Sequence, residues 1–183
     1  MGFKIQVTQI PEVLVLMPDV FEDERGYFME AFKTSEFRSL GIPDTFVQDN
    51  ISFSKKGVLR GLHYQKHPHA QGKLVWVPKG RIWDVAVDLR RDSPTFKRWI
   101  GLELSSENHL MLWIPEGFAH GFLALEEGSV VQYKCTKEYN RDSERGIRYD
   151  DPQLKVEWPL EVVLISEKDR RLPFLKKAWE ELF

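Results

Sequence analysis

The segment from Val58 to Gly80, VLRGLHYQKHPHAQGKLVWVPKG, gathers Arg60, His63, His67, His69 and Lys73 among Gly61, Gly72 and Gly80. Its ends alternate like strands and its middle does not. Polar groups this dense in a β-rich frame mark a site rather than a solvated loop. Several chemistries are open to it. Proton abstraction fits His63, because an imidazole titrates near neutrality; the plain alternative is a structural histidine bonded within a sheet. Proton donation fits Tyr133, provided a nearby cation or an enolate offsets a phenol pKa of ~10; the alternative is a core tyrosine. Cys135 has no sequence neighbour that would make it a thiolate. Arg25, Arg60 and Lys73 would form an anion site if the fold made them converge. His67, His69 and His120 would offer three nitrogens to a metal ion. Period-2 counting puts Arg60 and His63 on opposite faces of one strand. A site using both therefore needs a bulge, and Gly61 is the easiest place for one.

The elements that must position these groups are mostly strands. Val13–Met17 is a short apolar run closed by Pro18, predicted to be a strand buried on both faces and to call for cover from a second chain. FEDERGYFMEAF turns or bulges at Arg25-Gly26. Thr34–Gly41 is predicted as a short helix, with Thr34 or Ser35 as N-cap, Phe37 and Leu40 inward and Gly41 as its stop. Phe46–Phe53 is a broken strand; Gln48, Asp49 and Asn50 are either a turn or a hydrogen-bonding edge. RIWDVAVDLR alternates, with Trp83, Val85, Val87 and Leu89 on one face and Ile82, Asp84, Ala86 and Asp88 on the other. Ser129–Tyr139 is a further alternating strand. Ser166–Asp169 reads as a helix start, and Phe174, Leu175, Ala178, Trp179 and Leu182 as an apolar stripe of helical period. Many short strands at intervals of ~8–14 residues argue an all-β sandwich or barrel.

Composition sets bounds. The 183 residues are read as a single domain, 1–183, without linker, repeat or low-complexity segment. A net charge of −2 gives no bulk field toward nucleic acid or an anionic membrane. One cysteine permits no intrachain disulfide, and no apolar run approaches the ~20 residues of a membrane span. With no signal peptide read at the start, a soluble cytoplasmic protein is expected. Six Trp and twelve Phe suit a β core, an obligate interface or a site that stacks on flat ligands.

The run Gly61, His67, His69, Lys73, Gly80 resembles the first cupin motif, G-x5-H-x-H-x3/4-E-x6-G, and PEGFAH at 115–120 resembles the second. The resemblance implies a double-sheet jelly roll. It departs where Lys73 replaces the metal-ligating Glu, since a cation there repels a divalent ion, and where Ala124 replaces a terminal Asn. No functional metal is therefore expected.

DERGYFMEAF, FVQDNISFSKKGVLRGLHYQ, AQGKLVWVPKGRIWDVAVDLRRDSPTF, LWIPEGFAHGF and QYKCTKEY, in this order, are similar to the RmlC family, the dTDP-4-dehydrorhamnose 3,5-epimerases, from about residue 11 to 175. The resemblance implies a homodimeric, metal-free cupin jelly roll. It would use no cofactor and invert C5 and then C3 of dTDP-4-dehydro-6-deoxy-D-glucose. It implies His63 as base, Asp169 as the carboxylate orienting it, Tyr133 as donor on the opposite ring face and Lys73 beside the C4 oxygen. Arg60 and His120 match substrate contacts. Arg25, Glu30, Gln48, Asp49, Asn50, Glu144 and Lys168 match positions around the nucleotide. The alternatives carried with it are a single-carbon epimerase or ketoisomerase, a metal-dependent cupin oxygenase and a non-catalytic sugar-nucleotide-binding cupin.

Overall fold

In the computed structural model, which describes residues 2–43 and 45–183, short strands form two facing antiparallel sheets. The first sheet has the order β1 (Phe3–Val7), β2 (Leu14–Pro18), β10 (Met111–Ile114), β7 (Lys73–Lys79), β12 (Ser129–Cys135) and β5 (Gln48–Ser54). The second runs β13 (Glu144–Gly146), β6 (Val58–Gln65), β11 (Phe118–Ala124), β8 (Arg81–Asp88) and β9 (Trp99–Ser105), with β14 (Leu164–Ile165) added parallel to β6. A separate hairpin joins β3 (Val20–Asp23) to β4 (Gly26–Met29), turning at Gly26 as the sequence predicts. This is the expected cupin-type, all-β jelly roll.

Alternation builds the core. Val15, Val75, Leu112, Ile114 and Val131 face Ile82, Ala86, Leu104, Phe118 and Phe122 across the sandwich. Behind the second sheet, Leu62, Val85, Val87 and Ala119 pack on Leu175, Ala178 and Leu182 of the C-terminal segment. Behind the first, Leu16, Leu74 and Trp113 pack on Phe37 of helix α1 (Thr34–Ser39). Sheet residues buried on both faces explain why several strands read as continuous apolar runs.

Four local expectations change. Residue 33 rather than Thr34 or Ser35 takes the N-cap place of α1, and Lys33 makes no side-chain cap bond; Gly41 does end the helix, at φ +74°. Residues 48–54 form one unbroken strand, because the backbone of every residue there, polar or apolar, is in ladder register with β12. The C-terminal stripe makes only a 3-10 turn, Trp179–Glu181, yet Leu175, Ala178 and Leu182 are buried as expected. Burial of these anchors does not require a regular helix. The Val13–Met17 run is covered by its own chain: Val15 lies inside the sandwich and Leu16 under α1.

Candidate functional site

Residues from both sheets meet between them. In β6, His63 pairs with His120 and Arg60 with Phe122, so a three-residue step on β6 faces a two-residue step on β11. The extra residue is the anticipated bulge, and Gly61 sits in it at φ +123°. Arg60 and His63 consequently line one compartment, ≈ 470 Å³, with Lys73 of β7, His120 of β11, Tyr133 of β12 and Asp169. A second compartment of ≈ 330 Å³ shares His63, Lys73 and Tyr133 and adds Gln48, Asn50, Cys135, Tyr139 and Glu144.

Helix α2 (Glu167–Arg170) supplies the carboxylate. Ser166 caps it, its Oγ accepting from the Asp169 N–H at 3.0 Å. Asp169 is almost fully buried; its Oδ1 lies 2.7 Å from His63 Nε2 and its Oδ2 accepts from the Gly61 N–H at 3.2 Å. Burial alone would raise the Asp169 pKa, but the His63 and Gly61 bonds outweigh it and hold the group below an ordinary carboxylate. An ionised Asp169 accepts a hydrogen bond from the Nε2–H of a neutral His63 and so leaves the lone pair on Nδ1.

Burial lifts the Tyr133 phenol, with the Cys135 thiol adding to the rise and Arg60 opposing it. Tyr133 is thus protonated at neutral pH, as a donor must be. Burial lowers the Lys73 pKa, while Cys135, its cross-strand partner, and Asp84 and Glu144 pull it back up.

The structure brings together His63, Asp169, Lys73, Tyr133, Arg60, His120, Gln48, Asn50, Glu144 and Lys168. Glu144 is bound by Lys168 and by the Tyr139 hydroxyl, the latter at 2.8 Å. Three expected residues lie elsewhere. Asp49 falls on the outer face of β5, held by Lys134 at 2.9 Å, as period-2 alternation after Gln48 requires. Arg25 is exposed on the β3–β4 hairpin and pairs with Asp23; Glu30 follows that hairpin, 3.8 Å from Lys33. The three-histidine arrangement does not form: His67 packs edge-on to Phe183, and His69 lines a separate groove with Trp113 and Glu138. That groove is larger, ≈ 920 Å³, but among the described residues it holds no histidine–carboxylate pair and none of the converging cations.

Two site residues were missed. Asp84, fully buried, is hydrogen-bonded through Oδ1 to His120 Nε2 at 2.7 Å; the signal was an acid in the inward row Ile82, Asp84, Ala86. Tyr139 gave no signal, because its place depends on the turn after β12.

A jelly roll with a histidine on one sheet held by a carboxylate from helix α2, and a tyrosine and lysine on the other sheet, defines a cupin built for acid–base chemistry on a small polar molecule. The dTDP-4-dehydrorhamnose 3,5-epimerase family model matches residues 7–177, and the chain belongs to that family. It is 53% identical over 163 residues to the enzyme of that name from Shigella flexneri, covering 88% of this chain and 90% of the relative. It is 51% identical over 171 residues to that of Methanothermobacter thermautotrophicus, 92% of each. The crystal structure of the Legionella pneumophila dTDP-6-deoxy-D-glucose-3,5-epimerase RmlC in complex with dTDP-4-keto-L-rhamnose superposes with TM-score 0.95 at 49% identity, covering 99% of this chain and 97% of that one.

Proposed function

We propose that this chain epimerises dTDP-4-dehydro-6-deoxy-D-glucose at C3 and C5, giving dTDP-4-dehydro-L-rhamnose for dTDP-L-rhamnose synthesis. Protons beside a ketone are weakly acidic, and their removal loads charge onto the C4 oxygen. His63 Nδ1 takes the proton, Asp169 steadies the imidazolium through Nε2, and Lys73 offsets the enolate charge. Tyr133 returns a proton to the other ring face. The observation that carries this reading is the origin of the two acid–base groups: His63 on the second sheet and Tyr133 on the first, lining one compartment. No redox step enters, and a lysine suits the position where a metal-binding relative would carry a carboxylate.

Arg60, His120, Gln48, Asn50, Glu144 and Lys168 are read as substrate contacts, with the nucleotide supplying binding energy remote from the reacting carbons. Residues 1–183 are read as one domain around one sandwich core, acting in the cytoplasm without a nucleic-acid partner. No helix among the described residues is long and apolar enough to cross a membrane. Arg25 and Glu30 are read as nucleotide contacts made across a homodimer, which suits a hairpin that stands away from its own site. Incubating the enzyme with the 4-keto sugar nucleotide in deuterium oxide tests the reaction. Deuterium at both C3 and C5 of an inverted product supports it; label at one carbon alone indicates a mono-epimerase.

A further inference from the structure

The inward row of β5 is Gln48, Asn50, Ser52 and Ser54. Three of these side chains are engaged: Gln48 Nε2 donates to Asn50 Oδ1, Asn50 Nδ2 lies 3.6 Å from Cys135 Sγ, and Ser54 Oγ accepts from Arg60 Nε at 3.1 Å. Ser52 differs. Its Oγ is buried and makes no hydrogen bond among the described residues. It is also the residue by which β5 enters the compartment of His63, Lys73, Arg60 and Tyr133. In the ladder it opposes Val131, one inward place from Tyr133 and one from Ser54, which holds Arg60. A buried hydroxyl normally has a partner, and a serine reaches one by turning about Cα–Cβ between staggered positions.

We propose that Ser52 is a substrate-contacting residue whose hydroxyl bonds an oxygen of the sugar ring, fixing the hexose between His63 and Tyr133. The assignment rests on the epimerase reading. The sugar, rather than the nucleotide, is the partner because Ser52 lines the compartment of Asp169, Arg60 and His120, whereas Tyr139 and Glu144 line the adjoining one.

The test compares wild type with Ser52→Ala in three measurements: turnover of dTDP-4-dehydro-6-deoxy-D-glucose, inhibition by dTDP, and thermal unfolding. A lost neutral hydrogen bond should lower kcat/KM by roughly 2- to 12-fold. Inhibition by dTDP and the unfolding temperature should not change, because the hydroxyl has no partner among the described residues. Unchanged kcat/KM would overturn the assignment. So would an equal loss of dTDP affinity, which would make Ser52 a nucleotide contact, or a lowered unfolding temperature, which would make it structural. A wild-type enzyme that leaves this substrate unchanged would instead sink the epimerase reading.

Discussion

Arg60 and His63 share one compartment although strand alternation would send them to opposite faces, and Gly61 between them is the reason. Its φ of +123° admits the extra residue of the bulge. A Cβ added there would stand 2.5 Å from Gly121 Cα and 2.8 Å from the His120 carbonyl oxygen, both backbone atoms that cannot swing aside. Gly61→Ala should therefore cost at least ~2 kcal/mol of stability and misplace His63. Denaturant unfolding with parallel activity assays checks this; a stable, fully active variant would show that the bulge tolerates a side chain.

That need for a bulge was legible in the sequence, because period-2 counting put two chemically apt residues on opposite faces with a glycine between. Ser166 as the cap that presents Asp169 was legible too, as an S-x-x-D pattern. The link between His63 and Asp169 was not, since 106 residues separate them and only the fold closes that gap; the family resemblance supplied it. The case for a partner chain built on Val13–Met17 failed for a related reason. A two-faced apolar strand needs cover, but its sequence does not say whose, and α1 provides it. Asp49 is a matched motif position that alternation turns outward, a direction that the motif itself does not state.

Asp88 anchors the turn after β8. It accepts from Arg90 N, Nε and Nη2, from Ser93 Oγ and from Thr95 Oγ1. Burial would raise its pKa, yet these bonds hold it below the ordinary value. Because the folded pKa is the lower one, the contribution is complete above the unfolded value of ~3.9 and is lost as pH falls through the folded value. Asp88→Asn should destabilise the protein by about 2 kcal/mol or more at pH 7. It should also flatten the loss of stability below about pH 4. Unfolding curves across that window should converge for the two proteins, and parallel curves would contradict the linkage.

His63→Asn should abolish deuterium uptake at both carbons, since one base serves both. Asp169→Asn keeps the size of the side chain but loses the charge and can turn either its amide oxygen or its NH2 toward His63, so it no longer fixes the His63 tautomer. Its kcat should fall ~100-fold or more, with the fold retained. Proton NMR of substrate held in deuterium oxide with each variant decides this; substantial exchange with His63→Asn would reassign the base.

Edge strand β5 exposes Ile51 and Phe53, and the β3–β4 hairpin exposes Phe21, Tyr27 and Phe28. An apolar edge and an apolar hairpin in one chain are what a second copy would cover. Sedimentation at micromolar concentration should give a dimer, and Phe28→Asp should weaken it together with dTDP affinity. A wild-type monomer that is fully active would remove the assembly from the proposal and leave Arg25 and Glu30 without a role in binding.

Tyr133→Phe separates the two faces of the reaction. The ring meets His120 edge-on at 6.3 Å, a contact that phenylalanine keeps. Among the described residues the Tyr133 hydroxyl makes no hydrogen bond, so its removal should leave stability nearly unchanged. His63 still withdraws a proton in the variant, and Lys73 still offsets the enolate. What fails is delivery from the first sheet. The enolate then recovers its proton from the His63 side, which regenerates the starting configuration. Deuterium should therefore enter unreacted substrate, or a singly inverted product, faster than doubly inverted product forms. A general acid typically contributes ~100- to 10,000-fold, and formation of dTDP-4-dehydro-L-rhamnose should drop within that range while exchange persists. If the variant makes that product at close to the wild-type rate, the donor is another group, and Tyr133 serves only to pack against His120.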